Sequence, residues 1–578
     1  MNKLIYILVG VITPTMAIKR HKRKSGTYIS EYKQVREGKK VKSVFLRYIG
    51  QEDKIKAGEK PKRRVIDTLK IKQSYRAGDV RLLWSIAKDL GFIETIDGIC
   101  CQKSHIEGPS PGKFLTVWAI NRVIDPESCT QLEKWVSSTD LPILTGIDSN
   151  LFTKDAFLSS LDFVCYPDSS SDSIIDHTTG IDDALYKHWR HEHPLPPGDK
   201  ETLAYDLTSV LFYGVTCPLA ELGYNTKGAK RRQVNLALLV SKSDAYPITH
   251  LVYNGSRNTA STVNNLLSHL EKHTIEPGTI IWDRGGVSKD HVKNVESSGW
   301  KLICGVPKTS NDVRRIIEGT DVALNPATFV QKSRSGHIYA VKTRGQLFGC
   351  DRSVVVYVNQ ERRASEINIQ NEALAEIKKE LDALCEKGNE WTEVKLHKKI
   401  KKIVGPWGDY VHTTVKRKGN GPRINWNYKK RQIATSERSY GKYLLLSTDE
   451  SLPTDEVLKT YFEKDFVEKV FRILKTTEEL EPVRHRLEHR VRSYMFICVL
   501  AYRLLAALRF QIVDAFGKEK SCERTFDLLR ELARVERTDV KFGREVKTFY
   551  LNVSNSTRDM LKKIGMKDLL KEEIRLEV

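Results

Sequence analysis

Between residues 201 and 307 the sequence predicts an α/β fold, because strand-like and helix-like segments follow one another in a recognisable order. Three apolar runs come first, followed by helix, strand, helix and strand. The strand-like runs are ETLAYDLTSVLFYG (201–214), RQVNLALLVS (232–241), ITHLVYNG (248–255), TIIW (279–282) and KLICGVP (301–307). Three hairpin-linked strands followed by parallel crossover units form a mixed sheet in the ribonuclease-H-like order. In that order the first and fourth strands are neighbours, so Asp206 and Asp283 are expected to meet at one edge of the sheet.

A basic segment is predicted at the N-terminus. Residues 1–15 include a short apolar stretch that mimics a signal peptide, but the basic run KRHKRK (19–24) follows at once, so we interpret them as a start-site extension with translation beginning at Met16. Residues 16–75 alternate apolar and polar side chains around Glu37-Gly38-Lys39, which predicts a β-hairpin, and they end in a lysine-rich linker. A hairpin with this many cations fits a phosphate backbone and a solvated edge equally well.

Residues 76–200 are predicted to form a helical DNA-binding domain. Apolar residues recur at helical spacing in three segments, and Pro and Gly separate them. The segments are DVRLLWSIAKDLGF (79–92), FLTVWAINRVI (114–124) and CTQLEKWV (129–136). Residues 167–182 are rich in Ser, Asp and Thr, which predicts a loop.

The second half of the chain returns to the core after an interruption. The first part of the core is predicted at 201–308, and residues 309–438 are predicted to be an insertion domain with two strands, a long helix and a strongly basic stretch. Strand character returns at the start of residues 439–510, the second part of the core, which ends in a long apolar helix. Residues 511–578 are predicted to be a C-terminal helical segment.

The stretch YFEKDFVEKVFRILK (461–475) is predicted to be one amphipathic helix. At about 100° per residue its polar face holds four side chains in a narrow wedge. They are Tyr461, Lys464, Glu468 and Lys475, and the predicted core face holds Phe462, Phe466, Val470, Ile473 and Leu474. The carboxylate of such a face can bind a hard cation, and the ammonium groups can hold phosphate oxygens.

Composition restricts the class of function. The chain has 95 Lys and Arg against 73 Asp and Glu, a formal net charge of +22, which favours a polyanionic partner, most often nucleic acid. Its 10 cysteines show no C-x-x-C pair and no regular spacing, which fits a reduced cytoplasmic setting. No membrane span is expected, and no Gly-rich phosphate loop indicates a nucleotide cofactor.

Two histidine-rich motifs suggest zinc sites, and neither interpretation is favoured. HRLEH (485–489) matches the H-x-x-E-H pattern, but four arginines surround it, and such a positive field repels a dication. HWRHEH (188–193) has no Cys or further His at zinc-finger spacing, so an exposed helix end is expected.

Three acids, Asp206, Asp283 and Glu468, stand where this fold would bring them together. Carboxylates that converge repel one another and stay ionised only if a cation neutralises them. Oxygen-only ligands select Mg²⁺ or Mn²⁺ over zinc. Two such ions about 3.5–4 Å apart would activate a water, or a DNA 3′-hydroxyl, for attack on a phosphodiester.

Four stretches of the sequence resemble the DDE transposases of prokaryotic insertion sequences, in the insertion-sequence-4 superfamily and nearest its insertion-sequence-1634 group. They are DLTSVLFYG at Asp206, WDRGG at Asp283, AINRVIDPESCTQLEKW (119–135), and the pattern Tyr-x-x-Arg-x-x-x-Glu-x-x-x-x-x-x-Lys, present as Tyr461, Lys464, Glu468 and Lys475. The likeness extends from about residue 25 to 560. Lys464 replaces the family's Arg and loses its bidentate fork, and Tyr494 falls where such sequences commonly have His.

The resemblance implies that Asp206, Asp283 and Glu468 bind two Mg²⁺ ions, with Mn²⁺ able to substitute. It also implies that Tyr461, Lys464 and Lys475 contact DNA phosphates near the cleaved end. Arg284, next to Asp283, is either a further phosphate contact or part of an ordinary ion pair.

The implied enzyme cuts double-stranded DNA at terminal inverted repeats and joins the ends to a target as a homodimer in the cytoplasm. Two alternatives stay open: an inactive, transposase-derived DNA-binding protein, and a ribonuclease-H-like nuclease that cuts without joining.

Overall fold

The computed structural model describes residues 16–23, 25–37, 40–57, 69–100, 110–213, 216–223, 225, 228, 231–273, 275–333, 336–386, 391–418, 421–542 and 545–576. The predicted start-site extension, residues 1–15, lies outside them. The chain divides into two compact units. The smaller one comprises the described residues up to Ser74 with Thr538–Tyr550 and the residues from Glu572, and the larger one comprises Tyr75–Arg537 and Leu551–Lys571.

The regular elements are numbered in chain order. The strands are β1 (Met16–Arg23), β2 (Gly26–Glu37), β3 (Lys40–Gln51), β4 (Leu69–Arg76), β5 (Cys165–Pro167), β6 (Ile174–Asp176), β7 (Thr202–Leu211), β8 (Glu221–Leu222), β9 (Arg232–Ser241), β10 (Pro247–Asn254), β11 (Thr279–Trp282), β12 (Lys301–Val306), β13 (Phe329–Ser333), β14 (Gly336–Leu347), β15 (Cys350–Asn359), β16 (Val411–Lys418), β17 (Gly421–Tyr428), β18 (Lys442–Ser447), β19 (Glu536–Phe542), β20 (Glu545–Leu551) and β21 (Glu573–Leu576). The α-helices are α1 (Glu52–Lys56), α2 (Gly78–Asp89), α3 (Phe92–Cys100), α4 (Pro111–Ile124), α5 (Leu132–Ser137), α6 (Leu141–Thr145), α7 (Lys154–Val164), α8 (Thr178–Glu192), α9 (Val263–Lys272), α10 (Lys289–Ser297), α11 (Asn311–Gly319), α12 (Gln360–Glu386), α13 (Glu393–Val404), α14 (Lys430–Glu437), α15 (Thr454–Glu463), α16 (Asp465–Thr476), α17 (Glu488–Phe516), α18 (Ser521–Leu532) and α19 (Asn555–Lys563). Short 3₁₀ helices span Ser149–Leu151, Thr259–Thr262, Arg284–Gly286 and Gly405–Tyr410.

The smaller unit contains two antiparallel β-sheets. The predicted hairpin is confirmed by β2 and β3, which pair up to Glu37↔Lys40, while its turn lies outside the described residues. The basic run forms a further strand, β1, on the other side of β2. Part of the predicted linker is ordered as α1 and β4, and β4 joins a sheet in the order β21-β20-β19-β4. The prediction that residues 511–578 are helical is therefore wrong in part, because β19, β20 and β21 take their partners from each other and from a strand far away in sequence.

The larger unit is built around a ten-stranded mixed sheet. Nine strands follow the order β10-β9-β7-β11-β12-β18-β15-β14-β13, and β8 pairs with β9. The first five stand in the order expected from the sequence, with the parallel pair β7–β11 at its centre. One face buries an apolar core that includes Leu203, Tyr205 and Trp282, and the other buries a core that includes Ile281 and Ile303. The period of two along each strand thus assigns neighbouring residues to opposite faces.

The region predicted as an insertion contributes in two ways. Strands β13, β14 and β15 extend the main sheet, with β15 paired to β18. Helices α12–α14 and strands β16–β17 enclose an apolar core of their own. Its buried members are Leu374, Ile377, Leu381, Leu384, Leu396, Ile400, Val404, Val411 and Ile424. The outer bounds of a separate insertion domain, 309–438, stay a prediction.

Helices α2–α8 account for the helical pattern predicted before the core. In α4, Pro111 occupies the first turn and the Ser110 hydroxyl accepts a hydrogen bond from the backbone N–H of Lys113. The predicted loop at 167–182 instead contains β6 and the start of α8. The Asp176 carboxylate accepts hydrogen bonds from the backbone N–H and the hydroxyl of Thr178, the first residue of α8.

The helix α17 is long and apolar enough, by length and composition only, to cross a membrane. No membrane-spanning helix was expected from the sequence. However, 78% of its most apolar window is buried inside the protein, where it packs against α4 and α7. We therefore describe α17 as the central core helix of the larger unit.

Candidate active site

The strand register brings Asp206 and Asp283 to the same level of the sheet. The parallel ladder pairs Thr279 with Thr202 and Ile281 with Ala204. If this register is continued by two residues along each strand, Asp283 stands opposite Asp206. Asp283 shares the face of Ile281, which is the face covered by α15. The two carboxylates therefore belong to one edge and one face of the sheet.

The Glu468 segment is not the single helix that the sequence predicts. Helix α15 ends at Glu463 and α16 begins at Asp465. At Lys464 the backbone tightens, because Lys464 N–H donates to the carbonyl of Tyr461 and Val467 N–H to that of Lys464. Such i→i−3 bonds are those of a 3₁₀ turn.

This break changes which side chains are buried. The buried face of α16 is formed by Val467, Val470, Phe471 and Leu474. Phe462, Phe466 and Ile473, predicted to face the core, are only half-buried. Tyr461, predicted on the exposed polar face, is 4% exposed. The tight turn thus rotates Tyr461 towards the sheet while Glu468 stays exposed in the first turn of α16.

Tyr461 and Lys464 both contact Asp283. The Tyr461 hydroxyl donates to Asp283 Oδ1 at 3.0 Å, and Lys464 Nζ lies 3.8 Å from the same oxygen. A Cβ on Gly305 of β12 would come within 2.7 Å of the Tyr461 hydroxyl and 2.6 Å of Arg284 Cγ. Glycine at 305 therefore gives Tyr461 and Arg284 the space to reach the sheet.

The two aspartates lie in different electrostatic surroundings. The pKa of Asp206 is raised to about 6, mainly because the carboxyl group is buried; Asp283 and Glu468 add to the rise, and the Leu207 N–H and Lys464 offset only part of it. Burial also opposes ionisation of Asp283, but Lys464, the backbone N–H of Arg284 and Tyr461 together lower its pKa. The charges of Asp283 and Glu468 therefore act on Asp206, which is the aspartate whose ionisation is disfavoured.

A cavity of about 870 Å³ opens beside these residues. Asp283, Tyr461, Lys464 and Glu468 line it. Its basic lining residues are Lys242, Arg284, Lys464, Lys469, Arg472, Arg509 and Lys518. Its acidic lining residues are Asp244, Asp283, Glu463, Asp465 and Glu468. Seven basic against five acidic side chains leave a modest excess of positive charge beside the carboxylates.

Lys475 and Arg284 make contacts inside the protein. Lys475 Nζ donates to the carbonyl of Ser209 at 2.5 Å and lies 3.1 Å from Glu481 Oε1, so it joins α16 to the strand that carries Asp206. The Arg284 guanidinium lies 4.3 Å from the ring centroid of Tyr443 and donates to the Tyr357 hydroxyl at 3.5 Å. Neither contact tests the predicted role in DNA binding.

Sequence reasoning missed three residues of this site. They are Gly305, Tyr357 and Tyr443, from strands β12, β15 and β18, and long-range pairing places these strands in the order β11-β12-β18-β15. No local motif marks them. Only Gly305, a glycine within an otherwise apolar strand-like run, signals in the sequence that another group packs closely against the backbone there.

Across the residues that the structure describes, no group of three or more His, Cys, Asp or Glu side chains is close enough to hold a metal ion. The HRLEH motif is divided among other partners, because His489 pairs with Asp162 and Glu488 with Arg492. The zinc interpretation therefore gains no support from this motif.

The sequence was compared with known protein families and structures. A family model described as a transposase DDE domain matches residues 197–504, more than half of the chain. The chain belongs to the DDE transposase family. The matched range contains the strands of the main sheet and helices α15 and α16, and the family implies an enzyme that cuts and transposes DNA.

Two further comparisons add no functional argument. No curated protein matches the sequence. The cryo-EM structure of the piggyBac transposase synaptic complex with hairpin DNA aligns over 86% of this chain and 86% of its own, with a TM-score of 0.37 and 12% identity. Likeness at this level does not establish a shared fold.

DDE transposases generally use divalent metal ions, but the carboxylates of Asp206, Asp283 and Glu468 are not close enough together in this structure to form a three-residue metal group. Asp206, Asp283 and Glu468 offer oxygen ligands only, as Mg²⁺ and Mn²⁺ prefer. The pKa of Asp206 is raised chiefly by burial, and the nearby carboxylates of Asp283 and Glu468 add smaller contributions. Lys464 supplies the nearest positive charge to Asp283 among the contacts described.

Proposed function

We propose that this DDE transposase cleaves double-stranded DNA at terminal inverted repeats and joins the freed 3′-hydroxyl ends to a target. Asp206, Asp283 and Glu468 would hold two Mg²⁺ ions, or Mn²⁺ in their place, and these ions would supply an activated oxygen nucleophile and neutralise the leaving oxygen. The observation that carries this proposal is the strand register that sets Asp283 level with Asp206 beside the basic cavity that Glu468 lines.

The chain's own residues would position the substrate and the carboxylates. Tyr461 and Lys464 fix the orientation of Asp283 through the same oxygen. The basic side chains of the cavity would hold DNA phosphates, with Lys464, Arg284 and Lys475 nearest the cleaved end. Lys475 Nζ donates one hydrogen bond to the carbonyl of Ser209 and lies 3.1 Å from Glu481 Oε1, and its ammonium group has further donors that would reach a phosphate.

The finer assignment is part of the same proposal. We infer a ribonuclease-H-like core, supported by the strand order around β7 and β11. We also infer membership of the insertion-sequence-4 superfamily near its insertion-sequence-1634 group, a prokaryotic source, action as a homodimer on DNA, and a cytoplasmic location. Support for the group comes from the Tyr461–Lys475 pattern and AINRVIDPESCTQLEKW.

The test is to incubate purified protein with Mg²⁺ and DNA spanning the flanks of its own gene, and to map every new 3′-hydroxyl end. We expect paired cuts at inverted repeats that are lost in Asp206→Asn and in Glu468→Gln, while DNA binding in EDTA persists. Asp455→Asn, an exposed acid in the first turn of α15, is the matched control and should cut normally.

The alternatives give different outcomes. Cutting without transfer of an end to a second DNA would assign a nuclease. Binding without cutting, in Mg²⁺ and Mn²⁺ alike, would assign an inactive DNA-binding descendant. Full-rate nicking by Asp206→Asn would contradict the proposed triad.

A further inference from the structure

One face of the β1-β2-β3 sheet has two rows of aromatic side chains that cross from strand to strand. In the first row the rings of Tyr32 and Phe45 lie 5.6 Å apart, edge to face. In the second, the rings of Tyr28 and Tyr48 lie 5.9 Å apart. Tyr28 and Tyr32 stand at alternate positions of β2, so both rows share one face.

Each row ends in a basic side chain from β1. Lys19 Nζ lies 4.8 Å from the ring centroid of Tyr32, and His21 Nε2 is 3.1 Å from the Tyr32 hydroxyl. The guanidinium of Arg23 lies 5.8 Å from the ring centroid of Tyr28. The face therefore interleaves cations with aromatic rings at regular strand spacing.

The opposite face has a different character. There Glu31 pairs with Arg47 at 2.5 Å, and Glu52 of α1 lies 3.4 Å from Arg20. Helix α1 packs against β2 and β3 on this side. Acidic partners thus neutralise basic side chains on the covered face, and among the side chains that the structure describes the aromatic face has no acid.

The aromatic face is open to solvent. Phe45 is 55% exposed and Tyr48 is 50% exposed, and the basic side chains of β1 are exposed as well. Exposed rings on a sheet give unpaired bases a surface to stack on, and adjacent cations hold the phosphate backbone. In duplex DNA the faces of the bases are already stacked and unavailable to such rings.

We propose that this sheet face binds single-stranded DNA, with bases stacked on Phe45 and Tyr48 and the backbone held by Lys19 and Arg23. The cations of Lys19 and Arg23, with no described acid on the same face, favour a polyanion, and the exposed rings of Phe45 and Tyr48 favour one with unpaired bases. This surface goes beyond the proposed catalytic function and does not depend on the chemistry at Asp206.

The test measures binding of the full-length protein in EDTA, by fluorescence anisotropy, to a fluorescein-labelled thymidine 20-mer and to a mixed-sequence 20-base-pair duplex. The double variant Phe45→Ala/Tyr48→Ala should bind the single strand about tenfold or more weakly, with duplex affinity within about twofold of the parent. The conservative pair Phe45→Tyr/Tyr48→Phe should keep single-strand binding, because both rings remain.

Lys19→Ala/Arg23→Ala tests the phosphate contacts. It should lower the slope of log affinity against log salt for the single strand by the amount expected for about two phosphate contacts.

A matched control removes exposed apolar side chains from the other face of the same sheet. Ile18 is 63% exposed and Val44 is 48% exposed, and each alternates with a residue of the aromatic face. Ile18→Ala/Val44→Ala should leave single-strand affinity unchanged, and circular dichroism checks that each variant is folded.

Three results would overturn the proposal. Unchanged single-strand affinity in the Phe45/Tyr48 variant would remove the stacking surface. An equal loss for duplex would assign the face to general phosphate binding. A lower oligomeric mass in that variant, by light scattering without DNA, would assign the face to contact with a second copy of the chain. Because no step requires cleavage, failure of the proposed transposition chemistry would leave this test readable.

Discussion

At the residue scale, the two aspartates are chemically identical groups whose pKa values are shifted in opposite directions by their surroundings. Asp283 is already oriented by a phenol and an ammonium group, and its pKa lies below the ordinary range. Asp206 accepts a hydrogen bond from its neighbouring Leu207 N–H and has a pKa near 6 because burial dominates. The difference arises because burial dominates at Asp206, whereas the tight turn at Lys464 directs both Tyr461 and Lys464 to Asp283.

The Tyr461 hydroxyl is expected to matter for catalysis rather than for affinity. Tyr461→Phe keeps the buried ring and removes the donor to Asp283 Oδ1, a hydrogen bond to a charged group. We expect the cleavage rate at saturating DNA to fall about ten- to a hundredfold. Single-turnover kinetics measure it, with Tyr213→Phe, an exposed tyrosine, as control. A weaker DNA affinity at an unchanged rate would favour a direct phosphate contact.

Glu478 is a buried carboxyl group outside the site. It is 0% exposed, and neither carboxylate oxygen has a hydrogen-bond partner among the residues that the structure describes. Burial raises its pKa well above the ordinary value, and Arg122 offsets only part of this. The folded state therefore binds a proton more tightly than the unfolded state, so stability falls as pH rises above the unfolded pKa of about 4.3.

Glu478→Gln should remove this pH dependence. We expect the melting temperature of the variant, relative to the parent, to increase from pH 4 to pH 8, since only the parent must bury a charge at high pH. Circular dichroism melts at several pH values measure the difference, with the exposed neighbour Glu479→Gln as control. A difference that stays constant with pH would show that Glu478 titrates normally.

At the element scale, a buried ion pair ties α17 to α8 and β10. Arg503 is fully buried, donates to Asp182 Oδ1 at 2.8 Å, and also donates to the carbonyls of Pro247 and Ile248. His250 Nδ1 lies 2.7 Å from the other oxygen of Asp182. Strand β10 is thereby attached to α8, which precedes the sheet in sequence, and to α17, which follows it.

Removing one partner of this pair should destabilise the larger unit. Arg503→Ala leaves the Asp182 carboxylate buried without its guanidinium, and we expect a loss of about 3–5 kcal/mol. Urea unfolding followed by circular dichroism measures it. Arg530→Ala, which breaks an exposed pair with Asp527, should cost less than about 1 kcal/mol. Equal losses in the two variants would contradict the role of burial.

The AINRVIDPESCTQLEKW stretch also acts at this scale. Asn121 closes the end of α4 by donating to the carbonyl of Asp125 and accepting from the backbone N–H of Glu127. Arg122 donates to the Glu478 carbonyl and to the Tyr494 hydroxyl, so it joins α4 to the segment after α16 and to α17. In this structure Asn121 and Arg122 of the motif hold α4, α17 and the segment after α16 together, and the Tyr494 hydroxyl is one of the acceptors for Arg122.

At the scale of the whole molecule, the net charge of +22 dominates association with DNA. With about six to ten phosphate contacts, affinity for duplex DNA should fall by about 10³–10⁵ between 50 and 200 mM salt. Lys475→Ala should reduce the slope of log affinity against log salt by about one, if its remaining donor holds a phosphate. Filter binding of a labelled duplex over a salt series measures both slopes. An unchanged slope with a lower melting temperature would restrict Lys475 to holding α16 against β7.

The sequence alone determined the order of strands around Asp206 and Asp283. Alternation with period two and the Gly, Pro and Asn residues between runs are local signals, and the handedness of crossovers leaves few arrangements. The hairpin of β2 and β3, the helices before the core and the long helix α17 were predicted for the same reason: their apolar residues repeat at the spacing of the element itself.

Only the tertiary structure decided the break at Lys464, the inward turn of Tyr461, the close approach at Gly305 and the extension of the sheet by β13–β15. It also decided that the C-terminal segment supplies strands. The physical reason is common to all of them. Strand pairing uses backbone hydrogen bonds to partners distant in sequence, and the turn at Lys464 uses local i→i−3 bonds; in both cases the backbone donor or acceptor is the same in almost every residue. Side-chain periodicity records which face is buried, but not what the chain packs against.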